Sequence, residues 1–263
     1  MANYYYGPGG GSGGGGGGGN WTPQGATAVT VGGIAAGTNL GVVPTPISGT
    51  LTSMFYPYLG PLVSLVLNPV AGLREFGNTV AAPDLTPTTT RRSNNITTLT
   101  LSRSGVGVIH TYGAPNPAGG AEPPYTDVSG AVTTTTTYTA TVGDGTSTST
   151  GTGTYTFIYP YYYGSDAPAL TGAQIRSQLT TLVATQASRT LAFSPTAEVY
   201  YYAYPAAYAN LTSIIDQNGF NITADWTLRN PVVITGLDGT PQNYKVYEFN
   251  NLTSLAQNIT FNL

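Results

Sequence analysis

Two threonine runs constrain this chain more than any other feature. Thr133–Tyr138 reads TTTTTY and Thr146–Thr156 reads TSTSTGTGTYT. β-Branched side chains lose rotamer freedom in a helix but fit a pleated surface, so these runs favour strands. Tyr138, Ala140 and Val142 alternate with Thr139 and Thr141, and Ile96, Thr98 and Thr100 alternate with Thr97, Leu99 and Leu101. That is the period of two expected of a strand. About seven short strands separated by turn signals over roughly 100 residues form the pattern of an immunoglobulin-like sandwich. Residues 59–164 are read as such a sandwich, closed by TYTFIYPYYYG as its last strand, with Tyr138 as a candidate corner tyrosine.

The other segments read differently. Residues 1–24 are a Tyr/Gly-rich arm ending in seven consecutive glycines, Gly13 to Gly19, and then Trp21. Residues 25–58 form a connector: AVTVGGI is one strand, and Leu51, Met54 and Phe55 share a face of a short helix between Ser48 and Pro57. Residues 165–263 read as an antiparallel β-domain with one amphipathic helix. The helix is expected over TGAQIRSQLTTLVATQ, where Ile175, Leu179, Leu182 and Val183 make the apolar stripe. Asp238-Gly239 between two strand-like runs signals a hairpin. The fold class is therefore mainly β: an extended Gly-rich arm, an Ig-like β-sandwich, and an antiparallel β-domain with one helix.

Only 7% of the 263 residues are charged, and the net charge is −3. A nucleic-acid binder needs a basic stripe to neutralise phosphates, and here no Lys/Arg cluster exceeds Arg91-Arg92. Cysteine is absent, which removes disulfides, thiolate metal ligands and thiol catalysis. Residues 1–19 have neither the basic region nor the apolar core of a signal peptide, so synthesis in a cytoplasm is expected. YLGPLVSLVLNPVAG is too short and too interrupted by proline to span a bilayer, so no membrane insertion is expected.

Candidates for chemistry are few. His110 is the only histidine, so any catalytic triad or histidine metal site must use it; at a strand end in VGVIHTYG it reads as structural. Glu198 opens the aromatic run EVYYYAYP. With Asp225 or Glu248 it could form the carboxylate pair of a glycoside hydrolase, but no motif supports this. Six N-x-[ST] matches, at Asn20, Asn95, Asn210, Asn221, Asn251 and Asn258, follow from composition. No catalytic, metal or cofactor residue is assigned.

Tyrosines remain. Tyr200, Tyr201, Tyr202 and Tyr204 form one cluster, and Tyr161, Tyr162 and Tyr163 another. Consecutive residues of a strand point to opposite faces, so one tyrosine face is expected to be exposed or to meet a partner. Tyrosine suits interfaces and also stacks on sugar rings.

The order of segments carries a resemblance. TVGGIAAGTNLG followed by TLTSMFYPYLGP resembles a segment that recurs in bacteriophage virion proteins, where a VGGI-x-x-G-T turn precedes a short helix ending in Tyr-Pro-Tyr. LREFGNTVAAPDLTPTTTRRSNNITTLTLSRSG and PNPAGGAEPPYTDVSGAVTTTTTYTATVGDG look like the Ig-like module of those proteins. YYYAYPAAYANLTSIIDQNGFNITADWT through YKVYEFNN looks like their terminal β-domain. The resemblance covers about residues 27–263 and leaves out the glycine arm. It implies a non-enzymatic structural component of a phage virion, in the first instance a tail-fibre or baseplate-associated subunit, with a head fibre or capsid decoration protein as the alternative. The implied partners are copies of itself, with a trimer as the leading expectation, and other virion proteins. An adhesin contacting host-surface glycan through the tyrosine clusters is the alternative of another class. Tyr4, Tyr5, Tyr6, Gly13, Gly19 and Trp21 are the residues expected to anchor the arm, held by symmetry mates or a neighbouring virion protein.

Overall fold

Residues 58–263 are described by the computed structural model. Nearly all of the connector and the whole arm, including Tyr4, Tyr5, Tyr6, Gly13, Gly19 and Trp21, lie outside the described residues. Gly60–Leu263 pack as one unit, built from two β-sandwiches that follow each other along the chain.

The first sandwich uses nine strands: β1 (Leu62–Asn68), β2 (Gly72–Glu75), β3 (Asp84–Thr90), β4 (Thr98–Arg103), β5 (Gly107–Thr111), β6 (Gly119–Ala121), β7 (Tyr125–Thr126), β8 (Thr136–Gly143) and β9 (Thr148–Ile158). One sheet is ordered β1-β3-β6, with β7 also on β3; the other is ordered β2-β9-β8-β4-β5. The chain changes sheet between β1 and β2, and β2 then runs parallel to the closing strand β9 while the other pairs are antiparallel. This is an immunoglobulin-like arrangement. Leu67 and Leu85 from one sheet meet Leu101, Tyr138, Ala140, Tyr155 and Phe157 from the other.

The alternation TGTGT in β9 has a packing cause. Gly151 and Gly153 face inward beneath β1. A Cβ on Gly151 would lie 2.6 Å from the Val63 carbonyl oxygen, and one on Gly153 would lie 2.8 Å from the Leu67 side chain. Thr150, Thr152 and Thr154 take the opposite face.

The second sandwich contains β10 (Tyr161–Asp166), α1 (Gly172–Gln178), β11 (Thr180–Leu182), β12 (Arg189–Phe193), β13 (Val199–Pro205), β14 (Ser213–Ile215), a 3₁₀ turn at Thr223–Asp225, β15 (Trp226–Thr235), β16 (Pro241–Phe249) and β17 (Gln257–Asn262). A five-stranded sheet, β11-β10-β13-β16-β15, packs against a three-stranded sheet, β12-β17-β14. The Asp238-Gly239 turn joins β15 to β16, as its sequence requires.

Two sequence expectations need correction. TYTFIYPYYYG is not one closing strand: β9 stops at Ile158 in the first sandwich, and β10 pairs with β13 in the second. Pro160 has no N–H to continue the ladder, so the boundary falls there rather than after Gly164. The helix is also shorter than its apolar stripe. A capping box between Thr171 and Gln174 starts it, but it ends at Gln178. Thr180–Leu182 instead form β11 against Tyr161–Tyr163. The open edge of β10 satisfies the backbone of two β-branched threonines better than further helical turns would. Of the four stripe residues, Ile175 is buried from within the helix and Leu179 is its C-cap.

Candidate functional site

Burial of the tyrosines overturns the expectation of an exposed tyrosine face. β13 is the middle strand of its sheet, and both of its faces are covered. Tyr200, Tyr202 and Tyr204 point into the core shared with the three-stranded sheet, alongside Tyr161, Trp226 and Phe261. Tyr201 points the other way with Tyr162 and Tyr244, under α1 and its Ile175 and Leu179. Tyr161, Tyr162, Tyr200, Tyr201, Tyr202 and Tyr204 are all fully buried, and Tyr163 is half-buried against Phe193. None of the six can stack on a surface glycan or meet a partner chain. A single sequence strand cannot reveal that both its faces will be covered.

Most of these hydroxyls have partners. Tyr201 Oη donates to the Ala167 carbonyl at 2.8 Å and accepts from the Leu170 N–H at 3.3 Å. Tyr204 Oη donates to Ala209 at 3.0 Å, and Tyr200 Oη donates to the Leu255 carbonyl. Tyr161 and Tyr202 have buried hydroxyls with no hydrogen-bond partner among the described residues. Burial pushes the Tyr201 hydroxyl up to about 12, with the nearby Glu248 charge adding to it. Burial likewise raises Tyr202 to about 12.

Charged groups the sequence did not single out converge on the seam between the sandwiches. Glu75, at the end of β2, is nearly buried, and its carboxylate lies 2.7 Å from Arg176 Nη1 on α1 as an ion pair. Arg176 Nη1 also donates to Tyr162 Oη at 2.6 Å, and the Tyr162 ring lies 5.7 Å from that of Tyr244. Tyr244 Oη donates to the carbonyl of Pro160, at the junction of the two sandwiches, at 3.0 Å. Phe76 packs on Tyr159 with ring centroids 4.8 Å apart, and Tyr159 Oη donates to Asp238 Oδ2 at 3.1 Å. At Gly77, φ is +98° and a Cβ would lie 2.4 Å from the Asp238 nitrogen, so glycine permits a close backbone approach of the two halves there.

A second buried charge organises the first sandwich. The Asp127 carboxylate accepts from Tyr138 Oη at 2.6 Å, from the Ser129 N–H at 2.8 Å and from Arg103 Nη1 at 3.0 Å. Tyr138 thus stands near the start of β8, as a corner tyrosine would, but bonds a carboxylate rather than a backbone carbonyl. Burial alone would raise the Asp127 carboxyl; its Ser129 and Tyr138 hydrogen bonds and the Arg103 charge outweigh this and hold it below the ordinary value. The available sequence signal was scarcity: in a chain with 7% charge, each charged residue is conspicuous.

The carboxylates considered for hydrolysis do not converge. Tyr201 pairs with Glu248, so both face the helix side, whereas Glu198 lies three residues before Tyr201 and faces the opposite side. Glu198 accepts from Ser165 Oγ at 2.7 Å, and Glu248 pairs with Arg229 at 2.9 Å. Asp225 is exposed in the 3₁₀ turn. His110 stacks on Tyr125 at 4.3 Å and meets Tyr112 edge-on at 4.5 Å. Among the described residues, no three His, Asp or Glu side chains are grouped as a metal site, and no helix is long and apolar enough to cross a membrane. Two shallow surface depressions, of 340 Å³ beside the β8–β9 hairpin and 230 Å³ beside β12 and β17, are lined by hydroxyl, amide and small side chains, with Phe193 also lining the second.

No protein-family model matches the chain, and no curated protein matches it.

Proposed function

We propose that this protein is a non-enzymatic structural component of a bacteriophage virion, of the tail-fibre or baseplate-associated kind. The order of segments carries the reading: a VGGI-x-x-G-T turn, a Tyr-Pro-Tyr, an Ig-like module and a terminal β-domain. The distribution of polar chemistry supports it. Glu75, Asp127 and Glu248 each hold two parts of the framework together through an arginine. Such commitments make a rigid building block rather than a centre with groups free to move protons.

Antibodies raised against the purified chain test the proposal on intact particles of the phage that encodes it, by electron microscopy. Labelling at the tail or baseplate is expected. Labelling of the capsid would transfer the assignment to a head fibre or decoration protein, and particles free of the antigen would overturn the virion reading altogether.

A further inference from the structure

Asn218 stands at the tip of the turn that follows β14, and the tip from Gln217 to Phe220 is exposed. It is the only asparagine of the chain followed by glycine; every other precedes proline, threonine, asparagine or a large apolar or aromatic residue. Asp216 shapes the turn. Its Oδ1 accepts from the Asn218 N–H at 2.9 Å and from the Phe220 N–H at 2.8 Å, and its carbonyl accepts from the Gly219 N–H at 3.1 Å. Among the described residues, the Asn218 side chain is held by one long bond, from Nδ2 to Asp216 Oδ2 at 3.4 Å. Gly219 has a φ of +86°, and no atom lies within 4 Å of where its Cβ would stand.

We propose that Asn218 is a site of spontaneous covalent modification, its side-chain amide being lost through a cyclic imide formed with the Gly219 nitrogen. The Gly219 nitrogen gives its proton to solvent hydroxide and bonds to Asn218 Cγ. The Cγ–Nδ2 bond breaks, and the leaving nitrogen takes a proton from water and departs as ammonia. Water then opens the ring. Opening at Cγ leaves aspartate in an ordinary backbone; opening at the main-chain carbonyl leaves isoaspartate, with the chain running through the side chain. Nothing is oxidised or reduced. Three features favour this residue. A side chain after asparagine obstructs ring closure, and glycine has none. An exposed, loosely held amide is free to turn toward the nitrogen it must meet, which an intramolecular reaction requires. The Gly219 bond to Asp216 must open first, and it lies at a loop tip, where local opening takes least free energy. The two Asp-Gly pairs, which can close the same ring, are clamped instead. Asp144 Oδ1 accepts from the Thr146 and Ser147 N–H groups at 2.9 Å. Asp238 accepts from the Thr240 N–H at 3.0 Å and from Tyr159 Oη at 3.1 Å. A carboxylate is also a weaker electrophile than an amide. Modification puts a second carboxylate beside Asp216 in place of an amide donor, and isoaspartate adds a methylene to the backbone of the turn. Just beyond it, the Ile222 N–H donates to the Ile214 carbonyl at 2.8 Å, and Ile214 is fully buried. The modified turn therefore loosens the chain along β14, at the edge of the three-stranded sheet. None of this rests on the virion reading.

Peptide mapping by mass spectrometry tests it on the full chain, kept folded in a mildly alkaline buffer over a time course, with isoaspartate-specific enzymatic methylation as a second readout. Conversion of Asn218 is expected to run about tenfold or more faster than that of any other asparagine, with isoaspartate as the larger product. Asn218→Gln, whose longer side chain closes the ring poorly, is expected to lose most of the methylation signal. Amide hydrogen exchange at Ile222 is expected to be faster in the converted protein than in the fresh one. Conversion of Asn218 at or below the rate of the other asparagines overturns the proposal, as does a methylation signal that Asn218→Gln retains in full. Unchanged exchange at Ile222 would overturn the loosening of the sheet edge.

Discussion

Glu75 and Arg176 face each other at 2.7 Å across the seam between the two sandwiches, one on the last residue of β2 and the other on α1. Removing one partner of a nearly buried ion pair strands the other. Because Arg176 keeps some contact with water, Glu75→Ala is expected to cost about 2–3 kcal/mol, below the full penalty for a buried pair. Urea unfolding measures it. A lowered midpoint with two resolved transitions would show that this contact couples the sandwiches; an unchanged midpoint would show that it does not.

Asp127 contributes to the loss of stability in acid. Its carboxyl titrates below the ordinary value of 3.8 in the folded protein. The stabilisation this contributes is complete above that value and is lost as pH falls through the lower folded value. Asp127→Asn is expected to flatten the decline in melting temperature on the acid side of pH 3.8 and to cost about 1–3 kcal/mol at neutral pH through its weakened bonds to Tyr138, Ser129 and Arg103. Thermal melts across an acid pH series decide it. A variant with the wild-type slope would remove Asp127 as the source.

Gly151 is irreplaceable for a steric reason. The 2.6 Å approach of a new Cβ to the Val63 carbonyl involves backbone on both sides, which has little room to relax. Gly151→Ala should destabilise the protein by about 1–3 kcal/mol. Thr152→Ala, one position away on the open face, is expected to change stability by less than about 1 kcal/mol. Equal effects at the two positions in chemical denaturation would contradict the packing of β1 over β9.

Tyr201 and Tyr202 are adjacent on β13 and should respond oppositely to loss of a hydroxyl. Tyr201→Phe removes a donor to Ala167 and an acceptor for Leu170, at a cost of about 1–2 kcal/mol. Tyr202→Phe removes a buried hydroxyl that has no partner among the described residues, and is expected to be neutral or stabilising by up to about 1 kcal/mol. Both hydroxyls titrate near 12 when folded, against 10.0 ordinarily. Their contribution to stability is therefore complete below pH 10.0 and is lost as pH rises through about 12. Spectrophotometric titration should show a group of tyrosines ionising only with alkaline unfolding. Smooth ionisation of every tyrosine near 10.0 would contradict their burial.

By itself, the sequence determined what is local. Threonine runs with period-two alternation made strands, Asp238-Gly239 made a hairpin, and the apolar positions of β4 and β8 were legible as core. Those outcomes depend on side-chain shape and alternation, which a short window contains. Tertiary structure decided the rest. The run EVYYYAYP reads as an amphipathic strand with one open face, and only a sheet flanked on one side by α1 and on the other by β12, β17 and β14 buries both. Leu182 fits a helical stripe until the open edge of β10 offers its segment a ladder. Glu75, Arg176 and Asp127 carry no spacing signal, because their partners are distant in sequence and meet only when sheets and sandwiches close. A hydrogen bond or ion pair between distant residues depends on where the chain returns, and that is a property of the packed whole.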